Sequence, residues 1–238
     1  MPKSSYLNNL KFYPNILRKN LNIRPWRTGS NIGLISANQT NNLTKNEILT
    51  CLEKLQKKGF TEATTTAIPA LDIQIFLDAG FDIRENLFLL SKLLTPRDIK
   101  VSDTQPSKPW NVNQILEVDH LCFDNFWKFD SRSFFLAQKA TQERRTRVVK
   151  IDRTIVAYAI TGKAGATGYL QRLAVNPNNS NIGIGKELIK DSLNWLATNK
   201  TDIAMVNTQE NNIKAIHVYE SLGFKKEKNG LAVLKWSI

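Results

Sequence analysis

The chain has 238 residues, 42% of them hydrophobic, which is enough to bury a core in one large or two smaller domains and sets intrinsic disorder aside. Lys and Arg outnumber Asp and Glu by 33 to 21, and the formal net charge of +12 favours anionic partners. Two cysteines, Cys51 and Cys122, lack paired spacing, and the two histidines, His120 and His217, lie far apart, so neither a disulfide framework nor a metal site is expected.

The opening Met1-Pro2-Lys3-Ser4-Ser5-Tyr6 has no apolar signal core, and no stretch approaches about 18 consecutive apolar residues, so a cytoplasmic protein with no membrane association is expected. Lys3, Lys11, Arg18, Lys19, Arg24, Arg27 and Lys45 all precede the first acidic residue, Glu47. This basic N-terminal arm reads either as a solvated surface or as a contact for the ribosome or a nucleic acid. Ile48, Leu52 and Leu55 then recur at helical spacing over residues 44–58, and Leu87–Leu90 is an apolar strand.

Turn residues cluster at Thr95-Pro96-Arg97-Asp98 and at Gln105-Pro106-Ser107-Lys108-Pro109, which divides the chain into residues 1–104 and 105–238. After that boundary the spacing predicts helices over 113–122 and 131–141, with the aromatic cluster Phe123, Phe126, Trp127 and Phe129 between them. Strands follow at 146–151 and 154–160, joined by Asp152-Arg153, then a glycine-bounded loop over 162–168 and a strand over 169–175. A helix after Gly185, a strand over 203–208, a helix over 212–222 and a strand over 231–236 complete an α/β unit with a mixed sheet. In the 212–222 helix, Ala215, Val218 and Leu222 are expected to face the core, with Tyr219 on the flank. Arg144, Arg145 and Arg147 read as a solvated strand edge in preference to a patch for an anionic partner.

The first unit looks like a partial repeat of the second. Ile48, Leu52 and Leu55 match Ile189, Leu193 and Leu196 at an offset of 141, and the Gly80-Phe81 pair matches Gly223-Phe224 at 143. Ser30-Asn31-Ile32-Gly33 copies Ser180-Asn181-Ile182-Gly183 at an offset of 150 but leads into strand-like residues, so that identity is read as coincidence.

Three segments carry chemistry. Leu173-Ala174-Val175 ends a strand, Asn181-Ile182-Gly183-Ile184-Gly185-Lys186 opens a helix, and Asn212 starts a helix that contains Tyr219 and closes on Gly223-Phe224. Side-chain-free positions at a helix N-terminus let a phosphate approach backbone N–H groups that favour anions. A Gly-x-Gly turn alone is weak evidence, and the dinucleotide fingerprint is excluded because its third glycine is missing.

Together these segments resemble the GNAT superfamily of acyl-CoA-dependent N-acyltransferases, most closely its ribosomal-protein and protein N-terminal acetyltransferase branch. The resemblance covers about half the chain and implies a GNAT fold, with a degenerate GNAT-like first half in which Pro69 and Phe76 replace Asn212 and Tyr219. It further implies an acetyl-CoA co-substrate and transfer to a primary amine by direct attack. Leu173, Ala174 and Val175 would pair with the pantetheine arm, residues Asn181, Ile182, Gly183, Ile184, Gly185 and Lys186 would hold the pyrophosphate, and Asn212 would bond the arm or simply cap its helix. Tyr219 would protonate the departing thiolate, and Trp127 with Phe126 would line the acceptor groove.

Two positions depart from the pattern. Ser180 stands where the family prefers Gln or Arg, and Asn207 stands where related enzymes carry a Glu base, leaving Glu210 as a substitute. A missing base favours an α-amine, of reference pKa about 8, over a Lys amine at about 10.4. The competing reading is a non-catalytic acyl-CoA-binding or ribosome-associated module.

Overall fold

Period-two burial, helix capping and glycine turns set the elements of this chain, whose computed structural model describes residues 21–37, 40, 43–95 and 104–237. In order they are β1 (Leu21–Pro25), β2 (Ile32–Ala37), α1 (Lys45–Lys57), β3 (Glu62–Thr65), β4 (Ile68–Pro69), α2 (Gln74–Leu77), β5 (Asp82–Leu93) and β6 (Gln105–Pro106). Then come α3 (Val112–Cys122), α4 (Ser131–Gln138), β7 (Glu143–Ile151), β8 (Thr154–Ala164), β9 (Thr167–Val175), α5 (Ile184–Thr198), β10 (Ile203–Gln209), α6 (Ile213–Ser221), β11 (Lys225–Lys226) and β12 (Leu231–Ser237).

Contacts group the chain into two units, one running to Arg84 and resuming at Ala232, the other spanning Glu85–Leu231. This differs from the expected cut near residue 105, and strand pairing is the reason. β5, which precedes the proline-rich stretch, pairs antiparallel with β10 from Leu93–Ile203 to Leu87–Gln209, while β12 returns to pair with β3. Of the linker residues singled out in the sequence, Pro96, Arg97 and Asp98 lie outside the described residues.

In the first unit β1 is antiparallel to β2, β2 parallel to β3, and β3 antiparallel to β12. Thr44 and Glu47 form a reciprocal capping box that starts α1, whose buried face is Ile48, Cys51, Leu52 and Leu55. A Cβ on Gly33 would come within 2.5 Å of the Leu55 side chain, so the Ser30–Gly33 segment opens a strand packed on α1 and not a phosphate turn.

The second unit has strand order β5-β10-β9-β8-β7-β6, parallel only between β9 and β10. β8 is buried almost throughout, as a central strand should be. Tyr158 and Ile160 join Ile115, Val118 and Phe134 of α3 and α4, whereas Ala157 and Ala159 meet Leu188 of α5. Alternate residues thus serve helices on opposite faces. The expected loop over 162–168 is much shorter, because only Gly165 has a positive φ, +59°, while a Cβ at Gly162 or Gly168 would run into Thr141 or Leu196. Those two glycines sit in strands and allow close packing. Among the described residues no helix is long and apolar enough to cross a membrane.

Candidate functional site

The parallel ladder between β9 and β10 is short. It joins Thr167–Ile203, Gly168–Ala204 and Tyr169–Met205 only, although β9 continues to Val175 and β10 to Gln209. A bulge accompanies the parting: Ile160 opposes Arg172 and Thr161 opposes Leu170, so Gln171 is an extra residue in β9. Such an insertion bends its strand. The Gln171 carboxamide oxygen and nitrogen are buried without hydrogen-bond partners. Leu173, Ala174 and Val175 lie on the parted portion, paired with β8 but not with β10, and a strand edge left open on the β10 side suits an extended ligand bearing amides of its own.

The turn expected to hold a pyrophosphate follows directly. Asn181 and Gly183 both take positive φ, +64° and +91°, and Gly183 is the N-cap of α5, which begins at Ile184. A Cβ built on Gly183 would meet no atom within 4 Å, and one on Gly185 only Val175 at 3.5 Å. The approach to the first N–H groups of a long helix is therefore clear, which fits an anionic pyrophosphate. Asn181, Ile182 and Lys186 are exposed around it, Ile182 by 66%. Ser180 turns back on its own loop, its hydroxyl donating to the Pro177 carbonyl at 2.7 Å.

Asn212 caps α6: its Oδ1 accepts the Ala215 N–H at 3.3 Å and its Nδ2 donates to Thr208 Oγ1 at 3.2 Å. Tyr219 is not on a flank. The buried residues of α6 are Ile216 and Tyr219, while Ala215, Val218 and Leu222 are half-buried, so the helix is rotated from the expected orientation. Tyr219 is 5% exposed, edge-on to Phe224 at 5.6 Å, and burial pushes its hydroxyl well above the usual tyrosine pKa, keeping it a proton-bearing donor at neutral pH. Asn207 lies on β10 opposite Leu89, and Glu210 is exposed in the turn after β10.

Residues 112–224 match the model of the acetyltransferase (GNAT) family. The matched stretch, a little under half of the chain, is similar to that family. A mycothiol acetyltransferase of Thermobispora bispora is 33% identical over 98 residues, 41% of this chain and 32% of that protein. One of Acidothermus cellulolyticus is 29% identical over 114 residues, 46% of this chain and 35% of that protein. The chain thus spans about a third of the length of these curated relatives. A tandem GNAT protein from the clavulanic acid biosynthesis pathway superposes with a TM-score of 0.62 at 13% identity, covering 88% of this chain and 76% of its own, and shares the fold.

The matched stretch also holds residues that sequence reasoning missed. Asp119 of α3 is 0% exposed and accepts from Arg172 Nε and Nη2 at 2.8 and 2.9 Å, from Tyr158 Oη at 2.5 Å and from the Phe129 N–H at 2.8 Å. The Arg172 guanidinium, on β9, also donates to the Trp127 carbonyl at 2.8 Å and lies over the rings of Phe123 and Phe129, 3.3 and 4.0 Å from their centroids. The aromatic cluster is thus organised around a buried cation. Trp127 in turn donates its indole N–H to Glu85 of β5 at 2.8 Å, and Phe126 meets it edge-on at 5.0 Å. The available signal was a charge at an otherwise apolar position, Asp119 after Val118 and Arg172 between Leu170 and Leu173.

The expectation for the arginine strand needs correcting. Arg144 is exposed, but Arg145 and Arg147 are part-buried and share Asp191, and desolvation pushes Arg145 down to about 10. Of the basic arm, Lys3, Lys11, Arg18 and Lys19 lie outside the described residues. Arg27 stacks over Trp26 at 4.0 Å.

Proposed function

We propose that the GNAT domain transfers an acetyl group from acetyl-CoA to a primary amine, either a protein N-terminal α-amine or the amine of a small molecule. The observation that carries this is the parting of β9 from β10 immediately before the left-handed Gly183 turn of α5. In this reading the pantetheine arm pairs with Leu173–Val175, the pyrophosphate sits on the Ile184–Lys186 N–H groups, and a β9 amide polarises the thioester carbonyl. The amine nitrogen attacks the carbonyl carbon, the tetrahedral intermediate collapses with cleavage of the C–S bond, and the departing sulfur takes a proton from Tyr219. The nitrogen releases its own proton to Glu210 or water. Two relatives named as acetyltransferases support acetyl as the acyl group. The first unit fits a degenerate GNAT-like half: it has Pro69 and the fully buried Phe76 at the positions of Asn212 and Tyr219.

A second reading, a non-catalytic acyl-CoA-binding module, draws on the burial of Tyr219 and on Asn207 in place of a carboxylate. Incubating the protein with labelled acetyl-CoA and a panel of peptides, polyamines and aminoglycosides separates the two. Label in an amine supports transfer. Tight acetyl-CoA binding with no labelled amine favours the module.

A further inference from the structure

A half-open cavity of about 300 Å³ lies in the second unit between the segment after β6, the start of α3, one face of α4 and the first residues of β7. Alternation along β7 decides which arginine faces it. Arg145 and Arg147 turn to Asp191 of α5, whereas Thr146 accepts a hydrogen bond from Gln138 Nε2 of α4 at 2.8 Å and Val148 packs with Phe134. Arg144, Thr146 and Val148 therefore share the α4 face. Arg144 and Lys108 are both exposed, and among the described residues neither side chain has a hydrogen-bond or ion-pair partner. Because Gln138 occupies Thr146 Oγ1 as an acceptor, the Thr146 hydroxyl keeps its proton to donate. Phe134 is buried at the back, Phe135 is 50% exposed, and Val112 adds a further apolar wall. None of the described lining residues is acidic. The cavity also stands apart from the parted strands: Arg144 is level with Gly162 and Tyr169, where β9 is still laddered to β10. α3 runs from Val112 on its wall to Cys122, whose thiol donates to the Val175 carbonyl at 3.1 Å, and helical steps of about 1.5 Å put roughly 15 Å between those two ends.

We propose that this cavity binds a small aromatic carboxylate, at a site separate from the one assigned to acetyl-CoA. The inference goes beyond the acetyl-transfer reading and does not depend on it. The planar Arg144 guanidinium meets a carboxylate with two parallel hydrogen bonds, Lys108 adds a second positive charge, and the Thr146 hydroxyl supplies a further donor. Phe134, Phe135 and Val112 receive the ring. A phosphate dianion suits the site less, because Lys108, Arg144 and one hydroxyl do not replace its hydration beside apolar walls. A volume of about 300 Å³ is at the small end of ligand cavities and fits a single ring better than a nucleotide.

The test follows the backbone amide signals of Phe135 and Thr146 by NMR in the full chain with CoA bound, while benzoate, phenylacetate and phenylpyruvate are added one at a time. The corresponding amides remove the charge, acetate removes the ring, and inorganic phosphate replaces the planar anion. At least one aromatic carboxylate is expected to shift both signals saturably, binding at least about tenfold more tightly than its own amide or acetate. Arg144→Gln should weaken it roughly tenfold, Arg144→Lys should recover only part of that loss, and Phe135→Ser should weaken it several-fold, with acetyl-CoA affinity unchanged in calorimetry. Arg144 is exposed and Phe135 half-exposed, so these variants should fold, and unshifted amide signals away from the cavity check it. The site is overturned if none of the carboxylates moves the two signals, if the amide binds as well as the acid, if inorganic phosphate binds more tightly, or if Arg144→Gln binds as tightly as the native chain. Shifts confined to Trp127 and Leu173–Val175 would put the ligand at the parted strands and also overturn it. No acetyl transfer is measured, so these outcomes leave the transferase reading to its own assay.

Discussion

Replacing Arg172 by Met keeps an unbranched apolar stem and removes the guanidinium. Asp119, with no exposed surface, would keep its bonds from Tyr158 and Phe129 but lose both guanidinium bonds and its counter-charge. Removing one partner of a buried pair costs about 3–5 kcal/mol, much of it the charge left behind. At roughly 2–4 °C per kcal/mol for a domain of this size, the unfolding temperature should fall by about 6–20 °C. The Trp127 segment loses its carbonyl anchor at the same time, so near-UV circular dichroism should weaken before unfolding begins. The double variant Asp119→Leu with Arg172→Met removes the stranded charge and should recover part of the loss, which scanning calorimetry on the four proteins of the cycle measures. A fall of under about 2 °C for Arg172→Met, or a double variant no better than the single, would refute the view that this pair is a charge-compensated anchor.

Gly183→Val puts a β-branched side chain at a φ of +91° and into the approach to the α5 N-terminus, so acetyl-CoA affinity should fall at least about tenfold in calorimetry on the folded variant, and unchanged affinity removes the pyrophosphate assignment. Tyr219→Phe deletes only a hydroxyl, so kcat should fall roughly 10²–10⁴-fold with little change in KM, whereas full kcat with chemistry rate-limiting would assign the proton to water. Burial raises the hydroxyl pKa of Tyr158, Tyr169 and Tyr219. The folded chain therefore keeps protons that the unfolded chain releases near pH 10, and this stabilisation, fully present below about pH 10, is lost as pH rises through the folded values. Urea midpoints should drop above about pH 10, and a midpoint that rises there would contradict the assignment.

Features set by local rules were legible in the sequence. The apolar spacing of α1, the Gly183 turn, the Gly223 helix end and the Asp152-Arg153 hairpin all follow from residues within a few positions of one another. Features set by long-range packing were not. Gly162 and Gly168 suggest a loop to any local rule, but their role is to admit Thr141 and Leu196 from other elements. α6 has apolar side chains at Ile213, Ala215, Ile216, Val218 and Tyr219, so in so short a helix the spacing fits two neighbouring faces, and only tertiary contact buries Ile216 and Tyr219. The Asp119–Arg172 pair spans 53 positions and the Trp127–Glu85 bond 42, distances over which one sequence carries no pairing information. β5 and β12 exchange places across the expected boundary for the same reason, because a strand belongs to the ladder it completes.

In the proposed reading acetyl-CoA lies between the parted ends of β9 and β10 with its pyrophosphate on the Gly183 turn. Amide hydrogen exchange of the full chain, with and without saturating acetyl-CoA, tests it at the backbone. Protection should rise at Leu173–Val175 and at Gly183–Lys186, and should stay unchanged in the first unit's α1 and β3. Protection that appears only elsewhere, or none at saturating ligand, would contradict the account.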